Sequence, residues 1–480
     1  MELDRRQFLM TLAAGAMPGL SQVRAKTNFV IILADDLGRN DLECYGNQYF
    51  KTPNLDRLAL EGARFTDAYA ACPVCSPTRA SILTGKYPVR TGVTDWIPGR
   101  ASDAKGPITT PKSATQLNLA ELTLAEKLKP LGYKSASIGK WHLGGNGFSP
   151  TDQGFDMNVG GNESGSPPRS GKPYFGPFEL PGITASADDF LTEKLTDAAV
   201  KFIEQNKSNP FLIYLAHYTV HIPLGARSAE VAKHQAKANG RYNPIYAAMV
   251  ESLDASVGRV LEALAQTGMA ERTMVLFFSD NGGLRYEGKS KQAVTDNAPL
   301  RAGKGHLYEG GIREPLIVRF PGVVKAGSVV RTPVSSVDFF PTVCDRAGVA
   351  AGDMDGVSLM PLLRGGSLKQ RELYWHYPHY SNQGGEPGSA IRDGEWKLIE
   401  FFKDGRQELF HLTVDEGEKV NLVAAHPLIA KRLAAKLAAW RKKSGAIVPV
   451  KNPAADPAWP GLGLTGDEAP TPLADPVHAR

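Results

Sequence analysis

Continuous apolar runs recur along the chain, without the alternation of a strand that is exposed on one face. The first run, residues 28–34, is rich in β-branched residues, which predicts a central strand buried on both faces. Similar runs predict four more buried strands, at residues 135–138, 211–216, 274–278 and 316–318. From Tyr246 to Leu264 apolar residues recur instead at helical spacing. Alternating buried strands and amphipathic helices predict an α/β sandwich.

The pattern changes after the Leu-Arg-Gly-Gly segment at residues 363–366. Short segments with Asp-Gly turns predict a small antiparallel sheet, at residues 372–377, 389–392, 396–402 and 407–412. A helix is predicted at residues 427–444, and a tail rich in Pro and Ala, from residue 448, is predicted to lie along the surface. A stretch rich in Gly, Pro and Ser, residues 144–182, predicts a loop region that forms one wall of a cleft. We therefore predict a main domain at residues 26–366 and a C-terminal subdomain with its tail at residues 367–480.

The first 25 residues resemble an export signal of the twin-arginine type. Arg5 and Arg6 precede a short apolar stretch at residues 10–20, and Val23-Arg24-Ala25 offers a cleavage site. The apolar stretch is well short of the ~20 residues that span a bilayer. We therefore predict a protein that uses the export machinery, has no membrane span once mature, and is periplasmic or secreted.

Composition narrows the function classes further. The 480 residues carry a net charge of only +5, and the basic residues are scattered, so no nucleic-acid partner is expected. Four cysteines, at positions 44, 72, 75 and 344, are too few for a disulfide framework. Cys72 and Cys75 match C-x-x-C, which leaves a redox pair or a disulfide hairpin open at this point.

Polar side chains follow four of the predicted buried strands at the point where each strand ends. They are Asp35 and Asp36, Lys140 and His142, His217 and His221, and Asp280 and Asn281. Ligands bind at the carboxyl ends of strands in open α/β sheets, so these side chains predict a site. The three carboxylates and the amide oxygen predict a site for a hard divalent cation, and oxygen ligands admit calcium, magnesium or manganese.

The segment Cys75-Ser76-Pro77-Thr78-Arg79 resembles the C-x-P-x-R signature of the formylglycine-dependent sulfatases, which belong to the alkaline-phosphatase superfamily. Further motifs resemble this family in the same order along the chain: Asp35-Asp36, residues 139–144, His221-Ile222-Pro223, residues 279–283, residues 299–304 and residues 308–313. The resemblance implies an alkaline-phosphatase-like α/β/α sandwich with a large mixed sheet, a smaller C-terminal subdomain with a short antiparallel sheet and a helix, and catalysis in residues 26–366. It also implies one Ca²⁺ per chain, with magnesium or manganese as alternatives.

The same resemblance assigns roles to the site residues. Cys75 would be oxidised to formylglycine by a formylglycine-generating enzyme, and a hydroxyl of its hydrate would attack sulfur and also contact the metal held by Asp35, Asp36, Asp280 and Asn281. Arg79 would hold the nucleophile, and His142 would bind its second hydroxyl. Lys140 and Lys304 would neutralise the sulfate, and His221 or Lys304 would protonate the leaving alcohol. His217 competes with His221 for this position, but His221 is preferred because it carries the His-x-Pro of the family, and His217 would then be a structural histidine.

Sulfated saccharides are the favoured substrates, with sulfated small molecules as the wider class. The aromatic segment at residues 374–380 suggests sugar binding by His376 and His379, together with Arg392. A phosphodiester or phosphonate-monoester hydrolase is the first alternative, since relatives in the superfamily share C-x-P-x-R. A non-catalytic sulfoglycan-binding protein is the second. A two-zinc phosphatase would need more histidine ligands.

Overall fold

The computed structural model describes residues 26–99, 105–168, 171–238, 242–287 and 292–459. The strands are β1 Asn28–Ala34, β2 Ala63–Tyr69, β3 Ile108–Thr109, β4 Lys134–Gly139, β5 Met157–Val159, β6 Phe178–Leu180, β7 Ile183–Ala185, β8 Phe211–Ala216, β9 Thr273–Ser279, β10 Tyr286–Glu287, β11 Gln292–Ala293, β12 Arg313–Arg319, β13 Ser328–Val330, β14 Val334–Ser335, β15 Glu372–Tyr377, β16 Gly388–Asp393, β17 Trp396–Phe401, β18 Gln407–His411 and β19 Val450–Lys451. The helices are α1 Pro53–Glu61, α2 Cys75–Thr84, α3 Pro88–Thr91, α4 Leu124–Leu128, α5 Leu191–Gln205, α6 Ser228–Ala238, α7 Pro244–Gln266, α8 Glu309–Ile312, α9 Phe339–Ala347, α10 Met360–Leu363 and α11 Pro427–Ser444.

A nine-stranded mixed sheet forms the centre of the molecule, with the order β13-β2-β12-β9-β1-β8-β4-β5 and with β14 beside β2. Strands β1, β4, β8 and β9 are parallel, whereas β12 is antiparallel to its neighbours β9 and β2. The five buried strands predicted from apolar runs are all present, and the predicted fold is confirmed. Because β1, β4, β8 and β9 run the same way, the polar residues after them meet at one edge.

Side chains of β1 alternate between two hydrophobic clusters on opposite faces of the sheet. Val30 and Ile32 pack into a cluster that includes residues of α5 and α7. Phe29 and Ile31 pack into a second cluster that includes residues of α2 and α9. Every residue of β1 is buried, so residues 29–34 are all apolar, and the polar Asn28 at the start of the strand donates through Nδ2 to Thr273 Oγ1 at 3.3 Å.

The predicted loop at residues 144–182 contains two short strands, β5 and β6, and a third, β7, follows directly after it. β5 extends the central sheet beside β4, and β6 and β7 form a separate hairpin. Each of the three strands has only three residues, which is too short to produce a recognisable hydrophobic pattern. In the tail, the exposed strand β19 pairs with β3.

The C-terminal antiparallel sheet has the order β15-β16-β17-β18, as the sequence predicts. One face packs on α11 through a cluster that includes Ile391 and Leu433. The other face packs on the remainder of the molecule, where Trp375 meets Tyr69 and Leu307. The C-terminal sheet is therefore covered on both faces.

The predicted domain boundary between residues 366 and 367 stays a prediction.

The predicted export signal, residues 1–25, and the tail beyond residue 459 lie outside the described residues. Among the described ranges, no helix combines the length and the apolar character that crossing a bilayer requires.

Candidate active site

Backbone hydrogen bonds continue between neighbouring strands past their ends and align the polar residues. The Asp35 amide donates to Thr219 O at 3.1 Å, and the Asp280 amide donates to Ala34 O at 3.1 Å. Asp36 then adopts a left-handed conformation with φ 63°, which aspartate tolerates better than most residues. The chain thereby turns out of the sheet with Asp35, Asp36 and Asp280 close together.

Asp35, Asp36, Asp280 and Asn281 form a buried cluster, which we call the acidic cluster. Asn281 Nδ2 donates to Asp36 Oδ1 at 2.8 Å, and the Asp36 amide donates to Asp280 Oδ1 at 3.3 Å. Asp35 Oδ1 and Asn281 Oδ1 are buried and have no hydrogen-bond partner among the described residues. Unpartnered buried oxygens are costly, so their presence fits ligation of a hard cation. Ligand atoms of Asp35, Asp36 and His221 also lie within 4.8 Å of one another, which makes His221 a further candidate ligand.

Three cationic side chains pair with the three carboxylates of the acidic cluster. Lys140 Nζ lies 2.8 Å from Asp35 Oδ2, and Lys304 Nζ lies 2.7 Å from Asp36 Oδ1. Arg79 binds Asp280 Oδ2 through Nε at 2.8 Å and through Nη2 at 2.7 Å. Arg79 and Lys140 are fully buried, where charges persist only when they are paired. The structure therefore brings these predicted residues together in one charge-balanced group.

The carboxyl groups of the acidic cluster differ in their affinity for protons. Burial raises the pKa of Asp35 to about 7, although Lys140 acts to lower it. Burial also acts to raise the pKa of Asp36, but Lys304 and His221 outweigh it and the pKa is lowered. Two neighbouring carboxyls with opposite pKa shifts are typical of functional sites.

Cys75 is the first residue of α2, and Arg79 follows it one turn later, so both side chains lie on the same side of the helix. Pro77 is tolerated because the amides of a first helical turn have no partner within the helix. Cys75 is 2% exposed, and burial raises the pKa of its thiol. An unmodified Cys75 is therefore protonated at neutral pH and is a weak nucleophile. Cys72 and Cys75 are both free thiols in the structure, so the disulfide hairpin is wrong.

The histidines at the strand ends have different surroundings. His142 Nε2 lies 2.5 Å from Ile97 O, and because a carbonyl only accepts, Nε2 carries the proton. His142 Nδ1 is then an acceptor, and it is buried without a partner among the described residues. His221 Nε2 lies 3.7 Å from Asp36 Oδ2. His217 instead contacts Ser256 of α7 at 2.9 Å, so of the two competing histidines His221 is the one beside the acidic cluster.

The structure does not bring the predicted sugar-binding residues to the acidic cluster. Arg392 binds Asp67 at 2.8 Å and Tyr69 Oη, and these contacts join the C-terminal sheet to the end of β2. His376 contacts Ser389 Oγ at 2.6 Å and Ile447 O at 3.0 Å. His379 contacts Thr94 Oγ1 at 2.9 Å. The side chains of His376, His379 and Arg392 are all buried. The contacts given above are hydrogen bonds or ion pairs with other residues of the protein. Their role in sugar binding stays a prediction that these contacts do not support.

Two residues that fix the positions of site histidines do not belong to a recognisable sequence motif. Ile97 contributes the carbonyl that fixes the His142 ring. Tyr174 Oη lies 2.6 Å from Tyr218 O and 2.7 Å from His221 O, and it fixes the turn that presents His221. Both lie in irregular segments, where the sequence offers no periodicity that would predict these contacts.

Comparisons with known proteins identify relatives of this chain. A family model described as Sulfatase matches residues 27–349, and one described as N-sulphoglucosamine sulphohydrolase, C-terminal, matches residues 302–443. A sulfatase from Formosa agariphila is 34% identical, over 88% of this chain and 90% of the relative. Human arylsulfatase A is also 34% identical, over 87% of this chain and 86% of the relative.

Solved structures show the same fold. Ps i-CgsB in complex with k-i-k-neocarrahexaose superposes with a TM-score of 0.73 at 29% identity, over 86% of this chain and 92% of that chain. A phosphonate monoester hydrolase of Agrobacterium radiobacter has a TM-score of 0.62 at 21% identity, over 89% and 99% of the chains, and it supports the fold alone. The family model covers most of the described chain, the relatives align over nearly their whole length, and this chain therefore belongs to the sulfatase family, as an enzyme with the alkaline-phosphatase-like fold.

Proposed function

We propose that this sulfatase hydrolyses sulfate esters of saccharides, using a formylglycine made from Cys75. The observation that carries the proposal is the position of Cys75, at the start of α2, in the field of Lys140, Lys304 and the acidic cluster. As a buried, protonated thiol it would be a poor nucleophile, and oxidation would remove that limit. A saccharide substrate is supported by the similarity to Ps i-CgsB, whose structure was solved in complex with k-i-k-neocarrahexaose.

The acidic cluster would hold a divalent cation together with the oxidised residue 75. The two unpartnered oxygens, Asp35 Oδ1 and Asn281 Oδ1, fit such an ion, and Ca²⁺ is what the family resemblance implies. A bound cation would neutralise negative charge on the sulfate and on the attacking hydroxyl. Two of the carboxylates now paired with Lys140 and Lys304 would be shared with the ion, which would leave both ammonium groups available to the sulfate oxygens.

The other residues would move protons and hold the nucleophile. The hydrate of a formylglycine supplies two hydroxyls on one carbon, so that one attacks sulfur and deprotonation of the other expels sulfate. His142 Nδ1, the unpartnered acceptor, would take that second proton. Arg79, held by Asp280, would orient residue 75 from the same helix. His221 and Lys304 are partly exposed, with side chains 12% and 10% accessible, and both would face the leaving alcohol at the mouth of the site.

Export is the proposed setting for this activity. The twin-arginine segment at residues 1–25 supports passage through the export machinery and a periplasmic or secreted location. A formylglycine-generating enzyme would act on Cys75 as a second protein partner. Residues 26–366 would form the catalytic domain and residues 367–480 the C-terminal subdomain and its tail.

We expect the enzyme, coexpressed with a formylglycine-generating enzyme, to release sulfate from sulfated mono- or oligosaccharides with a kcat/KM at least about tenfold above that for 4-nitrophenyl sulfate. Contacts with a sugar would supply this additional transition-state binding. The measurement is sulfate release from a panel of defined saccharides that differ in the sulfated position. Mass spectrometry across residue 75 verifies that it is modified.

Release of the aryl alcohol from a matched aryl phosphodiester is the comparison for this experiment, because hydrolysis of a diester leaves a phosphate monoester and no free phosphate. A clear preference for the phosphodiester would support the phosphodiester or phosphonate-monoester alternative and contradict the proposal. Binding of sulfated glycans without turnover, in protein whose residue 75 is fully converted, would favour the non-catalytic alternative.

Removal of the divalent cation is expected to lower kcat by about 100-fold, because metal-ion stabilisation of transition-state charge is typically worth several kcal/mol. The carboxylates of the acidic cluster would then remain paired with Lys140 and Lys304, as in the structure. The measurement is kcat before and after chelation, with the thermal midpoint as an independent reading of cation binding. Adding Ca²⁺ should restore both, and chelator saturated with Ca²⁺ is the control. Full activity in protein shown by metal analysis to be metal-free would contradict the cation site.

A further inference from the structure

The mouth of the site is formed by the loop that carries Lys304. Cys75, Lys140 and His142 are at most 2% exposed, whereas the side chains of Lys304 and His221 retain 10% and 12% exposure. A substrate therefore approaches from the side of Lys304 and His221. The part of the substrate beyond the sulfate must then contact residues next to these two.

His306 lies two residues beyond Lys304 on this loop, and its ring orientation is fixed by the backbone. His306 Nδ1 lies 3.2 Å from Gly303 O and 3.1 Å from Lys304 O. Because carbonyl oxygens only accept, Nδ1 carries the proton and Nε2 presents a lone pair. Burial lowers the pKa of His306, which favours this neutral form. Among the described residues, both hydrogen bonds of the His306 ring involve Nδ1, and the side chain is half-buried.

The loop between β15 and β16, residues 378–387, packs directly against this segment. A Cβ on Gly305 would lie 2.0 Å from Ser381 Oγ, and a Cβ on Gly385 would lie 1.7 Å from Gly305 O, so both positions need glycine for close packing. At Gly384 the nearest atom to an added Cβ would be His306 Nε2, 3.8 Å away. His306 Nε2 therefore faces a part of the loop that has no side chain.

The Lys304 loop is also tied to the nucleophile. The Gly305 amide donates to Pro73 O at 2.8 Å, two residues before Cys75, and the Lys304 amide donates to Gly283 O at 3.2 Å. These bonds give His306 a fixed place relative to the reacting group. A rigidly held, neutral acceptor such as His306 Nε2 beside a sulfate site suits a hydroxyl group that donates a hydrogen bond. A substrate without such a hydroxyl would gain no binding energy from this acceptor.

We propose that His306 is a specificity-determining residue, whose Nε2 accepts a hydrogen bond from a hydroxyl of the sugar that carries the sulfate. This inference rests on the proposed saccharide substrate and names the residue that would recognise it. It would also give the C-terminal subdomain a part in specificity, since the 378–387 loop lies beside His306.

The test compares two substrates in the formylglycine-containing enzyme. His306→Phe should lower kcat/KM for the best sulfated monosaccharide by about 10- to 100-fold more than it lowers kcat/KM for 4-nitrophenyl sulfate, which has no such hydroxyl. His306→Gln keeps an acceptor and should recover most of the saccharide activity. His411→Phe is the matched control, because His411 lies in the C-terminal sheet beside Glu395 and should not alter the ratio.

Deoxy analogues of the same monosaccharide locate the hydroxyl. One analogue should react at similar rates with wild type and His306→Phe, because the partner of Nε2 is then missing in both. Equal losses on both substrates, or no loss on either, would overturn the role of His306 and leave the proposed function standing. A wild-type enzyme that hydrolyses only the aryl sulfate would overturn the saccharide substrate and with it this contact.

Discussion

Replacing Cys75 by alanine is expected to lower kcat by about 10⁴-fold or more, because removal of a covalent nucleophile leaves only binding and electrostatic stabilisation. The helix itself should persist, since alanine is favourable at a first helical position and the remaining nine residues of α2 are buried. The measurement is sulfate release at saturating substrate, with circular dichroism and the thermal midpoint as readings of folding.

Cys72→Ala is the matched control for this prediction. Cys72 is buried three residues before Cys75 and is also a free thiol, so its replacement should cost about 1 kcal/mol of stability and leave kcat within a few-fold. Activity of Cys75→Ala at the wild-type level would refute the mechanism. A finding of only unmodified thiol at residue 75 in active wild-type enzyme would refute the formylglycine, even if the alanine variant is inactive.

Lys397→Met is expected to lower the free energy of unfolding by about 3–5 kcal/mol, because it removes the cation between two buried carboxylates. Lys397 Nζ lies 2.9 Å from Glu309 Oε1 and 2.8 Å from Glu418 Oε1, and all three side chains are fully buried. Glu309 also accepts a hydrogen bond from Tyr69 Oη at 2.7 Å, so the loss would loosen the contact between the C-terminal sheet and β2. The measurement is urea unfolding at neutral pH.

The destabilisation should shrink as the pH falls. Burial already raises the pKa of Glu418, and without Lys397 its folded pKa would lie still further above the unfolded value, so protonation would favour the folded state. Glu309 keeps Arg313 at 3.7 Å and contributes less to this pH dependence. Lys403→Met is the control, since Lys403 is exposed and pairs with Glu386 at 3.3 Å, and exposed pairs are worth well under about 1 kcal/mol. A loss for Lys397→Met no larger than that of the control would contradict the prediction.

Several features of the fold could be predicted because they have a strong local signature. A strand buried on both faces must be largely apolar, and β1, β8 and β9 meet this condition apart from Asn28, Thr273 and Ser279 at strand ends. A long helix with one buried face shows a regular period, as α7 does. The site motifs were recognisable for the same reason: Asp35 and Asp280 come directly after such strands, where parallel strands place polar residues at one edge.

Other features could not be predicted because their cause lies outside the local sequence. The aromatic segment of β15 suggested sugar binding, but both faces of the C-terminal sheet are covered. Trp375 packs toward Tyr69, while Tyr374, on the other face, stacks on Trp440 of α11 at 4.8 Å. His376 and Arg392 are therefore enclosed, and their hydrogen bonds go to the protein. Whether an amphipathic strand binds a ligand or another element depends on what is folded against it.

The sequence by itself determined the order of the buried strands and the resemblance to the sulfatases. It also determined which carboxylates and lysines belong to the site. These features could be recognised because hydrophobic periodicity and the C-x-P-x-R spacing are local properties of the sequence. The sequence favoured His221 over His217 through its His-x-Pro motif. The tertiary structure decided how near each histidine lies to the acidic cluster, because that depends on the turn after β8. It also decided that His306 Nε2 lies beside Gly384. That position depends on the Lys304 loop packing against residues 378–387, which are more than 70 residues away along the chain.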